Sequence, residues 1–136
     1  MGFAAAVKTC FSNYVTFSGR ARRAEYWWFA LFNTICAIVT HILDWLVGTN
    51  FTRPTPDGGV ASTGFGIIYA IFALAVFLPA LSVLVRRLHD RDRSGWWFWL
   101  YLIPIVGAIW LLVWMCLRGT QGDNRYGPDP LANRMA

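Results

Sequence analysis

His89, Asp90 and Ser94 stand close together in the stretch RRLHDRDRSGWW, residues 86–97, and they are the residue types of a hydrolase's base, orienter and nucleophile. Proximity in sequence is not alignment in space. Neighbouring residues of a helix point in different directions, and no GxSxG elbow occurs in the chain. A structural hydrogen bond, or a cap for a helix ending there, is the plainer role for His89. Metal chemistry is as thinly supported: no second histidine stands at ligand spacing, and Cys10, Cys36 and Cys116 are scattered. The residues therefore point to no catalytic constellation, no metal and no cofactor.

Charge offers more than catalysis does. Arg86, Arg87, Arg91 and Arg93 outnumber Asp90 and Asp92 in the same stretch. Arginine forks bidentately onto phosphate, so these four form a candidate face for anionic phospholipid or a membrane partner, against a plainer reading as a topology signal with local ion pairs. Glu25 is the last charge before an apolar run and is expected to pair with an arginine of residues 86–93, Arg87 being the choice. His41 and Asp44 lie three apart on one helical face and could serve a proton or cation path, which a few helices could enclose only as an oligomer.

The elements that must hold these residues follow from composition. Of 136 residues 57% are hydrophobic and only 14% charged, against roughly 25% charged in a soluble domain. A chain this short cannot bury so much apolar surface in its own core. Residues 64–85 and 96–117 are each free of charge and would make helices about 33 Å long, enough for a hydrocarbon core of about 30 Å. Residues 26–47 form a third candidate, interrupted by Asn33, His41 and Asp44. The expectation is an all-α polytopic membrane protein, a single domain over 1–136, with about three transmembrane helices.

An interfacial amphipathic helix is expected within residues 1–17, where Phe3, Val7, Phe11, Tyr14 and Val15 recur at helical spacing; the same stripe could pack on the first span. The first strongly apolar run begins only at Tyr26, unlike a secretion signal, and Ala6 stands where myristoylation wants Ser or Thr. Residues 48–63 are Pro- and Gly-rich and read as a loop. The tail, residues 118–136, is turn-rich, with Gly119 at a helix C-cap position and residues 131–136 expected to fray.

Lys8, Arg20, Arg22 and Arg23 precede the first span and four arginines separate the second from the third, so the N-terminus is expected in the cytoplasm and residues 48–63 outside. A full third span would carry the tail outside despite Arg118, Arg125 and Arg134. The alternative is a break at Pro104 and Gly107, with residues 96–103 and 105–117 returning as a re-entrant hairpin. A kinked full span is preferred, because irregular backbone at membrane depth needs protein around it. Trp96, Trp97, Trp99, Trp110 and Trp114 read as interfacial anchors.

Four motifs occur in order: FSGRARRAEYWWF at 17–29, RRLHDRDRSGWW at 86–97, IPIVG at 103–107 and GTQGDNRYGPDP at 119–130. Together they resemble the YhaH-like small bacterial inner-membrane proteins, a family classed as a domain of unknown function. The resemblance implies a helical protein of the bacterial inner membrane and supplies no reaction. The net charge of +5 is divided among membrane loops, which sets nucleic acid aside. What remains is a binding or assembly module with membrane lipids, a membrane protein or a second copy as partner, or alternatively a small oligomeric transporter or channel. A headgroup-modifying enzyme would need His89.

Overall fold

The computed structural model describes residues 2–131; the fraying expected at the end of the tail falls on residues outside these, save Leu131. The described chain runs α1 (Phe3–Ser12), α2 (Arg23–Val47), β1 (Asn50–Pro54), β2 (Val60–Gly66), α3 (Ile67–Asp90), a 3-10 helix (Gly95–Leu102) and α4 (Val106–Cys116). Two compact units divide it: residues 31–77, and the remainder.

Helices α2 and α3 are long and apolar enough to cross a membrane. Along α2 the side chains of Leu31, Ile35, Ile38, Ile42 and Leu46 are exposed, so the protein itself provides almost no cover for them. A helix with uncovered apolar sides belongs in lipid. Pro79 lies inside α3, where a membrane helix tolerates it. The helix does not stop with the apolar run at Val85 but continues through Arg86, Arg87, His89 and Asp90. What the sequence presents as the start of a charged loop is the last turn of α3.

Within residues 31–77, β1 and β2 form an antiparallel hairpin pairing Thr52 with Ser62 and Pro54 with Val60. This corrects the all-α expectation. Phe51, Thr52, Val60, Thr63 and Phe65 are β-formers flanking the PDGG turn, and Thr55 N–H closes that turn on Gly59 at 2.9 Å.

In the other unit, α1 rests on the start of α2 through edge-to-face contacts of Phe3 with Trp28 and Phe11 with Phe29, with Ala6 and Cys10 buried beneath. Ser82 of α3 fixes the connector by donating to the carbonyls of Asn13 and Thr16 at 2.8 and 3.0 Å.

The continuous third helix expected over 96–117 is absent. Residues 95–102 wind as 3-10 helix, and the chain then reverses in a γ-turn at Ile105, with φ 65° and Val106 N–H donating to Pro104 at 2.7 Å. Gly107 lies against the carbonyl of Leu100, where any side chain would collide, so the two limbs pack closely. At 11 residues α4 is far short of the roughly 20 needed to span. Its last turn lies beside the end of α3, because Arg87 donates to the carbonyls of Met115 and Leu117. Leu84, Leu88, Leu111, Trp114 and Met115 form the small core between α3 and α4. Residues 95–116 are thus a hairpin that leaves and returns to one place.

Candidate functional site

Three motifs far apart in sequence meet at the last turn of α3. Asp90, 3% exposed, receives Arg20 at 2.9 Å and Arg87 at 2.7 Å. Arg20 reaches further, donating to the carbonyls of Thr120, Gly122 and Gly127 at 2.5, 2.7 and 3.3 Å. One guanidinium therefore ties the segment before α2 to α3 and to the tail. Backbone bonds repeat the tie: Ala21 N–H donates to Arg86 at 3.0 Å and Thr120 N–H to Asp90 at 2.7 Å. A buried charge is retained only when such partners surround it.

Glu25 meets Arg86 at 2.6 Å, both almost wholly buried. The expected partner was Arg87, which turns instead to Asp90 and the α4 carbonyls. Consecutive residues of a helix differ by about 100° in direction, so only one of the two can face Glu25. Cys10 donates its thiol to Glu25 at 3.6 Å, and burial pushes that thiol up to about 12, far from nucleophilic range. The three cysteines are free thiols.

The proposed arginine face is divided by this geometry. Arg86 and Arg87, at 4% and 0% exposure, are interior residues and cannot present themselves to a headgroup. Arg91, half-buried, donates to the carbonyl of Arg118 at 2.7 Å, while Arg93 is exposed and lies over the Trp114 ring at 4.9 Å. Arg23, also exposed, donates to Cys116 at 3.1 Å. Cations so placed complete the carbonyls at the end of α4 and suit its dipole. They also gather Arg23, Arg91, Arg93 and Arg118 around one helix end. Asp92 is occupied elsewhere, by Arg125 at 3.2 Å.

His89 is held by both neighbouring motifs. Its Nδ1 lies 3.0 Å from the carbonyl of Gly19, its ring stacks on Tyr126 at 3.9 Å, and Asn124 donates to its carbonyl at 2.9 Å. Asp90 is engaged by arginines and Ser94 caps the 3-10 helix, accepting from Trp96 N–H, so the three do not converge as a triad.

His41 and Asp44 belong to the unit of residues 31–77. His41 stacks on Tyr69 at 4.2 Å. Asp44 accepts from Thr49 Oγ1 at 2.5 Å and from the N–H groups of Ile68 and Tyr69 at 3.0 Å each, and so caps α3 from outside that helix. Gly66 lies against this carboxylate with no room for a side chain. Among the described residues no three His, Cys, Asp or Glu gather as a metal site.

Arg20, Asn124 and Tyr126 were missed by sequence reasoning. The available signal was the tail's glycine-rich turns, whose carbonyls, free of helix or sheet partners, require donors.

Two membrane-length helices, a short return hairpin and a buried cluster of ion pairs at one helix end define a small helical integral membrane protein. The chain belongs to the DUF805 family, described as a protein of unknown function, whose pattern it matches over residues 14–128. It is 47% identical over 118 residues to Inner membrane protein YhaH of Escherichia coli (strain K12), covering 87% of this chain and 89% of that one. Inner membrane protein YhaI of the same strain is 42% identical, with 87% and 88% covered. Uncharacterized protein YiiR, also of that strain, is 29% identical, with 84% and 85% covered. The names of YhaH and YhaI support an inner-membrane location for the chain. No solved structure matches it.

Proposed function

We propose that this protein is a two-span binding module that takes anionic phospholipid at the cytoplasmic face of the inner membrane. In this reading α2 and α3 cross, the buried ion pairs lie at the cytoplasmic interface, and both the N-terminal segment and the tail stay on that side. Lys8, Arg20, Arg22 and Arg23 satisfy the positive-inside rule there, and the tail's Arg118 and Arg125 no longer oppose it. The hairpin of residues 95–116 dips into the inner leaflet.

One observation carries the reading: exposed Arg93 stacks over Trp114 at the base of a hairpin whose Trp96, Trp97, Trp99 and Trp110 are also exposed. Aromatic rings favour the headgroup level and arginine pairs with lipid phosphate beside them. The headgroup face is then Arg23, Arg91, Arg93 and Arg118 rather than the four arginines of residues 86–93. Four basic residues reach the lower edge of the cluster size that binds anionic lipid, each contributing about 1 kcal/mol near the surface.

Native mass spectra of the protein released from nanodiscs of mixed phosphatidylcholine and phosphatidylglycerol test this. The triple variant Arg23→Gln, Arg93→Gln and Arg118→Gln is expected to lose retained phosphatidylglycerol while staying folded. Equal retention by the variant and the natural protein would overturn the proposal.

A further inference from the structure

Between the end of α3 and the start of the 3-10 helix lies a cleft of about 340 Å³, lined by Phe17, Leu81, Val85, His89, Ser94 and Trp96 among others. Its size is at the lower end of ligand pockets, and its walls are apolar apart from His89 and Ser94. Ser94 Oγ accepts from Trp96 N–H and keeps its own O–H, while His89 is the buried imidazole of the wall.

His89 is 8% exposed and its orientation is fixed from several sides. A backbone carbonyl only accepts, so Nδ1 facing Gly19 must carry the proton. Neutral imidazole then has its lone pair on Nε2, an acceptor that no side chain or backbone group among the described residues engages. An apolar cleft with an imidazole acceptor in its wall suits a ligand that brings an alkyl chain and a hydroxyl donor.

We infer that the cleft binds a glycerophospholipid whose anionic headgroup carries a free hydroxyl, as in phosphatidylglycerol, with the hydroxyl donating to His89 Nε2 and part of an acyl chain against Phe17, Leu81, Val85 and Trp96. This rests on the anionic-lipid reading above and adds selectivity for the headgroup. Phosphatidylethanol is the discriminating competitor, since it has the same single negative charge and no headgroup hydroxyl.

The experiment loads the full chain into nanodiscs containing equal phosphatidylglycerol and phosphatidylethanol in phosphatidylcholine and compares the lipid retained in native mass spectra. One neutral hydrogen bond predicts about a fivefold preference for phosphatidylglycerol. His89→Asn keeps a donor toward Gly19 and removes the Nε2 acceptor, so the preference should fall to about one with total retention little changed. Leu81→Trp fills the cleft and should abolish the preference through a residue that touches neither His89's hydrogen bond nor the basic face. Thermal unfolding of each variant in the same nanodiscs identifies one that has lost its fold, and the other then decides. Equal retention of both lipids by the natural protein, with loss of both in the Arg23, Arg93 and Arg118 variant, would overturn the headgroup selectivity and leave the lipid-binding reading standing. Retention of both lipids unchanged in that arginine variant would overturn the lipid-binding reading and this inference with it.

Discussion

Asp44 and Asp90 are both buried carboxylates, and the chain satisfies them in opposite ways. Asp44 is 0% exposed and is met by neutral donors: one hydroxyl and two backbone N–H groups of the first turn of α3, all within residues 44–69. Asp90 is met by two full cations, one of them from residue 20, and its backbone carbonyl takes Thr120 from the tail. The first solution is local and rests on dipoles. The second draws on three segments, so its failure would release all three.

Breaking the cationic solution should therefore cost most. Arg87→Leu leaves Asp90 with Arg20 alone and strips donors from Met115 and Leu117. The expected destabilisation is about 3–5 kcal/mol, the usual cost of removing one partner from a buried pair, read from unfolding in mixed dodecyl maltoside and dodecyl sulfate micelles. A cost below about 1 kcal/mol would mean the pair behaves as an exposed one, and the contrast with Asp44 would fail.

Glu25 sharpens the same point with a rescue. Glu25→Arg should destabilise the protein, and adding Arg86→Glu should recover part of the loss, with a coupling of about 1–3 kcal/mol. The double variant Glu25→Arg with Arg87→Glu should recover nothing, since Arg87 faces Asp90. Recovery through position 87 instead of 86 would show that the helix presents the other arginine to Glu25.

The dipolar solution should be cheaper and more tolerant. Asp44→Ala strips a cap from α3 and is expected to cost about 2 kcal/mol, whereas Asp44→Ser, itself a good capping residue, should restore much of that. The corresponding Asp90→Ser should restore nothing, because a hydroxyl cannot answer two cations. Equal tolerance of serine at both positions, measured in the same micelles, would erase the distinction.

The same division decides how much could be read from the sequence. The two long helices were legible from their apolar runs, one of them interrupted by Asp44, whereas the equally uncharged run of residues 96–117 did not form the single helix expected, and the family was legible from four short motifs. The end of α3 was not: Arg86, Arg87, His89 and Asp90 can remain helical and buried only because Arg20, Glu25 and Gly19, each 60 or more residues away, and Tyr126 meet them, and no local pattern displays such distant partners. The kind of partner for Glu25 was readable, its number was not, since the choice between adjacent arginines is a matter of helix rotation. Pro104 was noticed as a break point, yet the preference for a full span underestimated the packing available. Core residues Leu84, Leu88 and Leu111 and the donors Arg23, Arg87 and Arg91 supply the protein surroundings that a returning hairpin requires. The β-hairpin was hidden because proline and glycine dominate its turn and only short β-forming runs flank it.

Asp129 tests the dipolar solution where water competes. Its carboxylate accepts from the backbone N–H groups of Leu131 and Gly122 at 2.9 and 3.0 Å, much as Asp44 accepts from Ile68 and Tyr69. Those bonds, with lesser help from Arg20 and Arg118, hold its pKa below the ordinary carboxylate value. A folded-state pKa below the unfolded one means that the carboxylate favours the closed tail turn at pH values above about 3.9, the ordinary aspartate value. That contribution fades as acid carries the pH below 3.9 and through the lowered value. Because the group is solvated, the effect should be small and confined to the turn. The protection of the Gly122 amide, its exchange rate measured against the intrinsic rate at each pH, should fall on acidification through that window in the natural protein, and Asp129→Asn should flatten the response while leaving the protection of α3 amides unchanged. Carboxyl titration of Asp129 at or above the ordinary value would show that backbone dipoles secure a carboxylate in this chain only when water is excluded, as it is around Asp44.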